Sequence, residues 1–128
     1  MLKWLRANTL GTLLFTRRFG VEVGQDELGN RYFRERGAKD WRSERRWVLF
    51  KHMGETEIDG SMVPPGWHGW LNRAREKAPC EEPITIKRWE KEHIPNLSGS
   101  PQAYVPPGHA RRGGKRAPAT GDYEAWRP

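Results

Sequence analysis

The residues able to do chemistry in this chain are sparse and scattered: His52, His68, His93 and His109, the single cysteine Cys80, and an acidic run of Glu55, Glu57 and Asp59. No histidine stands at a helical two-ligand spacing from another histidine, a cysteine or a carboxylate in a recognisable metal pattern. The acidic run lacks the glycine and terminal glutamate positions of an EF-hand loop and reads as a solvated linker. Cys80 has no second thiol for an intramolecular disulfide or a cysteine-based metal site, which points to a reducing compartment. Arg112-Gly113-Gly114-Lys115 has the composition of a phosphate loop without its strand, helix or spacing. Ser61, Ser98 and Ser100 have no nucleophile-elbow context. His68 sits between Trp67 and Trp70, where burial could shift its titration, yet a hydrogen-bonded structural role suits it better than that of a general base. The chain is read as having no catalytic constellation and no metal site.

What the sequence concentrates instead is rigid backbone and aromatic surface, above all in residues 62–71, Met-Val-Pro-Pro-Gly-Trp-His-Gly-Trp-Leu. Pro64 and Pro65 fix φ and remove backbone donors, so the stretch enters as an extended arm and opens one or two helical turns. Trp67 and Trp70, three apart, fall on one side of such a turn, with Leu71 completing an apolar face. Two readings stand. The stretch is either a small domain's own core or a docking plug for another protein, where Trp on a rigid backbone is a common hot spot.

Composition bears on that choice. Nine Leu, four Ile, five Val and four Phe make 22 strongly apolar residues in 128, and seven of them lie in the first twenty. Fewer than one residue in five is thus of this kind, a level at which charged chains approach disorder. Disordered chains avoid Trp, however, and this one has seven. The combination predicts a chain ordered mainly by lying on something larger. The formal charge of +7 is concentrated at the ends: residues 1–20 contribute +4 with no acid and residues 101–128 contribute +3. The middle is nearly balanced, which resembles protein surface more than a nucleic-acid track.

These residues must be positioned by few elements. Residues 1–19 form an amphipathic helix with Leu2, Trp4, Leu5, Leu10, Leu13, Leu14 and Phe15 as its apolar set. Its longest charge-free run, residues 7–16, is ten residues long, about half of the roughly 20 needed to span a bilayer. The helix either packs on protein or lies at a membrane surface. Residues 20–60 read as a small antiparallel sheet: Val21 and Val23 alternate about Glu22, a turn with Gly29 follows, then Arg31-Tyr32-Phe33. Residues 45–51 supply a third strand, with Trp47 and Leu49 on one face and Val48 and Phe50 on the other. Residues 61–128 hold the Pro/Trp anchor and then an extended tail wrapping a partner, with a short extended segment over residues 84–89. The fold class is α+β and loop-rich. The expected partner-binding residues are Trp4, Trp47, Pro64, Pro65, Trp67, Trp70, Leu71, Trp89, Tyr104, Tyr123 and Trp126.

Three segments, taken in order, carry a resemblance. They are Val23-Gly24-Gln25-Asp26-Glu27-Leu28-Gly29-Asn30-Arg31-Tyr32-Phe33, then Arg45-Arg46-Trp47-Val48 with residues 63–71, then Pro95-Asn96-Leu97 with residues 103–108 and the ending Tyr123-Glu124-Ala125-Trp126. The chain resembles the family of accessory subunit twelve of the alpha subcomplex of NADH:ubiquinone oxidoreductase, respiratory complex I. Gly66 stands where that family usually has an acidic residue. The resemblance implies a non-catalytic accessory subunit with no cofactor of its own, on the peripheral arm near its junction with the membrane arm. Its neighbour there would be the core subunit carrying two 4Fe-4S clusters. It also implies the cytoplasmic face of a bacterial inner membrane, or the matrix side of the mitochondrial one. A related assembly factor shares the earlier motifs, whereas residues 95–108 and 123–126 favour the resident subunit. The basic ends and scattered aromatics leave an RNA- or lipid-surface-binding protein as a different class.

Overall fold

In the computed structural model, residues 8–51 and 58–128 are described. Helix α1, Leu10–Phe19, starts where the Thr9 side chain accepts a hydrogen bond from the Thr12 backbone N–H. It carries Arg17 and Arg18 in its last turn, against the negative end of the helix dipole. The chain passes straight into strand β1, Gly20–Gln25. Only glycine fits that join, because a Cβ on Gly20 would lie 2.6 Å from the Thr16 carbonyl oxygen and 3.0 Å from the Trp47 ring. Strands β2, Arg31–Glu35, and β3, Arg46–Leu49, complete a three-stranded antiparallel sheet in the order β1-β2-β3. The expected α+β class and small sheet are thus observed.

The β1–β2 turn is held by side chains. Asp26 Oδ1 accepts from Asn30 N and Oδ2 from Asn30 Nδ2, both at 2.9 Å, while Gly29 takes φ +87. Buried Asn30 also donates to the Met62 carbonyl at 3.0 Å and accepts from Lys51 N at 3.1 Å, so one amide joins the turn, the end of β3 and the segment before the prolines. A bulge is present between Glu22 and Gly24, within β1. The reason is packing: a Cβ on Gly24 would lie 3.0 Å from Trp67 and 2.9 Å from Cys80 Sγ.

Alternation along β2 sends Tyr32 and Phe33 to opposite faces, and each face receives a helix. On the Phe33 side, Trp47 stacks at 6.2 Å and meets Phe15 of α1 edge-on at 5.2 Å. On the Tyr32 side lies α2, Pro65–Leu71, preceded by a 3-10 turn, Gly60–Met62. Tyr32 stacks on Trp67 at 3.9 Å, and Trp70 meets both rings edge-on. Val63 and Ala78 close this cluster, with Val23, Val48, Phe50 and Leu71 packed around it.

Two expectations change. The aliphatic-poor middle does enclose a core, because indole and phenol rings supply the area that Leu and Ile do not. The apolar set of α1 does not all face inward: Leu10 and Leu14 are 65% and 59% exposed, while Thr16 is buried. Thr16 Oγ1 accepts from Trp47 Nε1 at 2.8 Å, so an indole N–H that needs an acceptor selects a hydroxyl for the inner face. The short segment over residues 84–89 joins no sheet. Trp4 and the rest of residues 1–7, together with His52, Glu55 and Glu57, lie outside the described residues.

The chain divides into two compact units, residues 1–96 and 97–128. In the second, a 3-10 turn, Ala110–Arg112, ends at Gly113 with φ +87. Arg112 Nη1 donates to the Val105 carbonyl at 3.0 Å, and Arg116 pairs with Asp122.

Candidate interaction surface

One Ser-His-Asp trio does meet in space, and its wiring decides what it can do. Ser61 Oγ donates to Asp59 Oδ1 at 2.5 Å, holding the Asp59 carboxyl below its usual range. His93 Nε2 donates to the Ser61 backbone carbonyl at 2.7 Å, not to the hydroxyl, and Ser61 Oγ also accepts from Asn96 N at 2.8 Å. A nucleophilic serine needs its proton facing a histidine base; here the proton faces a carboxylate and the imidazole serves as a clamp. The trio pins residues 93–96 to the 3-10 turn. His68 is exposed and sits against Asn72, not between the indoles. Among the described residues no group of three or more His, Cys, Asp or Glu is gathered to hold a metal, and no helix is long and apolar enough to cross a membrane.

The most heavily bonded side chain among the described residues is that of Arg46. The Arg46 guanidinium is fully buried. Its Nε donates to Glu44 Oε1 at 2.7 Å, Nη1 to the Trp70 and Arg75 carbonyls at 2.7 Å each, and Nη2 to the Glu76 carbonyl at 3.2 Å. It also lies 4.6 Å from the centre of a Trp70 ring. A planar fork with five donors suits this task, since it reaches the Trp70 carbonyl in the last turn of α2 and the Arg75 and Glu76 carbonyls beyond it at the same time. Arg73, at φ +59, reinforces the joint by donating twice to the Glu44 carbonyl at 2.8 and 3.0 Å. Nothing in the spacing of Arg46 foretold this, because its partners are main-chain atoms some 24 to 30 residues away.

Ten of the eleven residues expected to bind a partner are described, all but Trp4, and they separate by burial. Trp67 and Trp70, 5% and 1% exposed, face the chain's own core, which corrects their placement on a partner surface; Tyr32 is the wall they pack against. Trp47, Pro64 and Leu71 are half-buried and Pro65 is exposed at the start of α2. Trp89, Tyr104, Tyr123 and Trp126 are 75%, 82%, 89% and 82% exposed, and Ile86 and Ile94 stand out with Trp89 from residues 83–96. Gly66 matters to that segment, because a Cβ there would meet Ile84 Cδ1 at 2.5 Å and Pro79 Cγ at 3.2 Å.

A family model described as NADH ubiquinone oxidoreductase subunit NDUFA12 matches residues 20–128. The chain is 40% identical over 96 residues to NADH dehydrogenase (ubiquinone) 1 alpha subcomplex subunit 12 of Bos taurus, covering 70% of this chain and 64% of that protein. The Mus musculus protein of the same name is 36% identical with the same coverage. The alpha subcomplex assembly factor 2 of Mus musculus is 30% identical over 83 residues, covering 62% of this chain and 49% of that protein. The chain spans just under two thirds of the length of the first two relatives.

Proposed function

Because the chain belongs to the NADH ubiquinone oxidoreductase subunit NDUFA12 family, we propose that it is a non-catalytic accessory subunit of respiratory complex I. In this reading it stabilises the peripheral arm near its junction with the membrane arm, beside the core subunit with two 4Fe-4S clusters. The observation that carries the proposal is the extent of the family match. It runs from the first residue of β1 to residue 128 and so includes the exposed Trp89, Tyr104, Tyr123 and Trp126. A folded aromatic unit and a tail of unburied rings belong together if the tail finds its other wall on a neighbouring subunit. The wrongly wired Ser-His-Asp trio supports a scaffold rather than an enzyme.

The membrane concerned is the bacterial inner membrane, on its cytoplasmic face, or the mitochondrial inner membrane on the matrix side; the chain binds no nucleic acid. The assembly-factor reading is the weaker one, since the subunit-12 likeness is higher in identity and covers more of the chain. The deciding experiment tags the chain in its own cells and resolves solubilised membranes on a native gel. Stoichiometric co-migration with active NADH:quinone oxidoreductase is expected. Migration only with immature subassemblies would replace this reading with the assembly-factor one.

A further inference from the structure

A groove of about 570 Å³ opens between α1 and β3. Phe15 and Trp47 form its apolar wall and Arg45 and Arg73 its cationic one, while Arg46, whose side chain is buried, borders it only through its backbone, and Gly11 adds no side chain to close it. No carboxylate is among the lining residues. Arg46 is neutralised by Glu44 and Arg73 is engaged at the Glu44 carbonyl. Arg45 is exposed, and among the described residues its guanidinium has no hydrogen-bond or ion-pair partner. Beside the groove, α1 turns Leu10 and Leu14 to solvent one helical turn apart, with Arg17 and Arg18 following. Residues 8–21 contain no acid.

We propose that this groove takes the phosphate of an anionic phospholipid, with the lipid's acyl chain lying along Leu10 and Leu14. A guanidinium matches a phosphate in shape and charge, and Arg45 is placed to donate two hydrogen bonds to it. The apolar component decides between candidate ligands. An acidic peptide would satisfy Arg45 and leave the two leucines in water, whereas a phospholipid covers both with one molecule. Helix α1 then lies in the plane of the interface, which its short charge-free run permits and spanning does not. The inference rests on the membrane-junction reading for the presence of a bilayer, while the groove chemistry comes from this chain alone.

The test is co-sedimentation of the purified full chain with vesicles of phosphatidylcholine, with and without phosphatidylglycerol. Binding is expected only with phosphatidylglycerol. Arg45→Glu, a change of two charges at the site, lowers it roughly tenfold or more, and Leu14→Glu does the same; both side chains are exposed, so the melting temperature stays within a degree or so of the parent's. Arg111→Glu, an equal charge change in the second unit, serves as the control for attraction by net charge. Equal losses in Arg45→Glu and Arg111→Glu overturn the groove. So does binding that survives Arg45→Glu and Leu14→Glu, binding to phosphatidylcholine alone, or full displacement by inorganic phosphate at physiological concentration. The same variants run on the native gel separate the two ideas: lost vesicle binding with retained co-migration supports the groove. For the unsubstituted chain, vesicle binding without co-migration supports the groove too, and the failure then falls on the subunit reading.

Discussion

Arg46 shows how much one side chain carries when its environment is dry. Removing it leaves Glu44 as a buried charge and frees three carbonyls at once, and breaking a buried pair of this kind typically costs about 3–5 kcal/mol. Arg46→Met is therefore expected to lower the urea midpoint sharply. Arg31→Met, which breaks the exposed Glu22 pair, should move it by less than about 1 kcal/mol. Tyr32 sets the alkaline limit. Burial, reinforced by its hydrogen bond to Asp26 at 2.7 Å, pushes its phenol far above the ordinary range. A raised folded-state pKa means the stabilisation is complete below the unfolded value near 10 and is lost as pH rises beyond it. Phenolate absorbance from Tyr32 should thus appear only with unfolding, and Tyr32→Phe should flatten the alkaline fall in stability. An early Tyr32 phenolate in a still-folded chain would contradict the burial.

At the scale of elements, α2 is too short to persist alone and is held by what it packs against. Seven residues fall well under the length at which an isolated helix is marginal in water, yet two prolines pre-set its entry and two indoles seal it onto the sheet. Trp70→Ala is expected to destabilise the folded unit by about 3–5 kcal/mol, seen as a lowered melting temperature. Trp126→Ala leaves that temperature unchanged and instead reduces recovery of the chain in the assembled complex. If both variants fold and assemble like the parent, neither ring has the role its exposure suggests. The contrast between the two residues was not legible in the sequence. Both are tryptophans near glycine or proline, and only the position of Tyr32 across the sheet makes one of them core.

For the whole molecule, the division into residues 1–96 and 97–128 gives a further expectation. Deleting residues 97–128 should leave the thermal transition of the first unit in place and abolish co-purification with the complex, measured by pull-down from solubilised membranes. Retained co-purification would move the contact to residues 83–96 or to the sheet unit. The sequence by itself determined the class of element at each place, because φ restriction at Pro64 and Pro65, the turn chemistry of Asp26 to Asn30 and the period-two alternation of Trp47 and Val48 act over a few neighbouring residues. It also carried the family likeness, in motifs whose order needs no geometry. Which rings face inward, where Arg46 finds its carbonyls and which leucines α1 leaves in water were decided only by tertiary structure. Those outcomes depend on partners such as Trp70 for Arg46 and Thr16 for Trp47, 24 and 31 residues distant, and burial is a property of what surrounds a side chain rather than of the side chain itself.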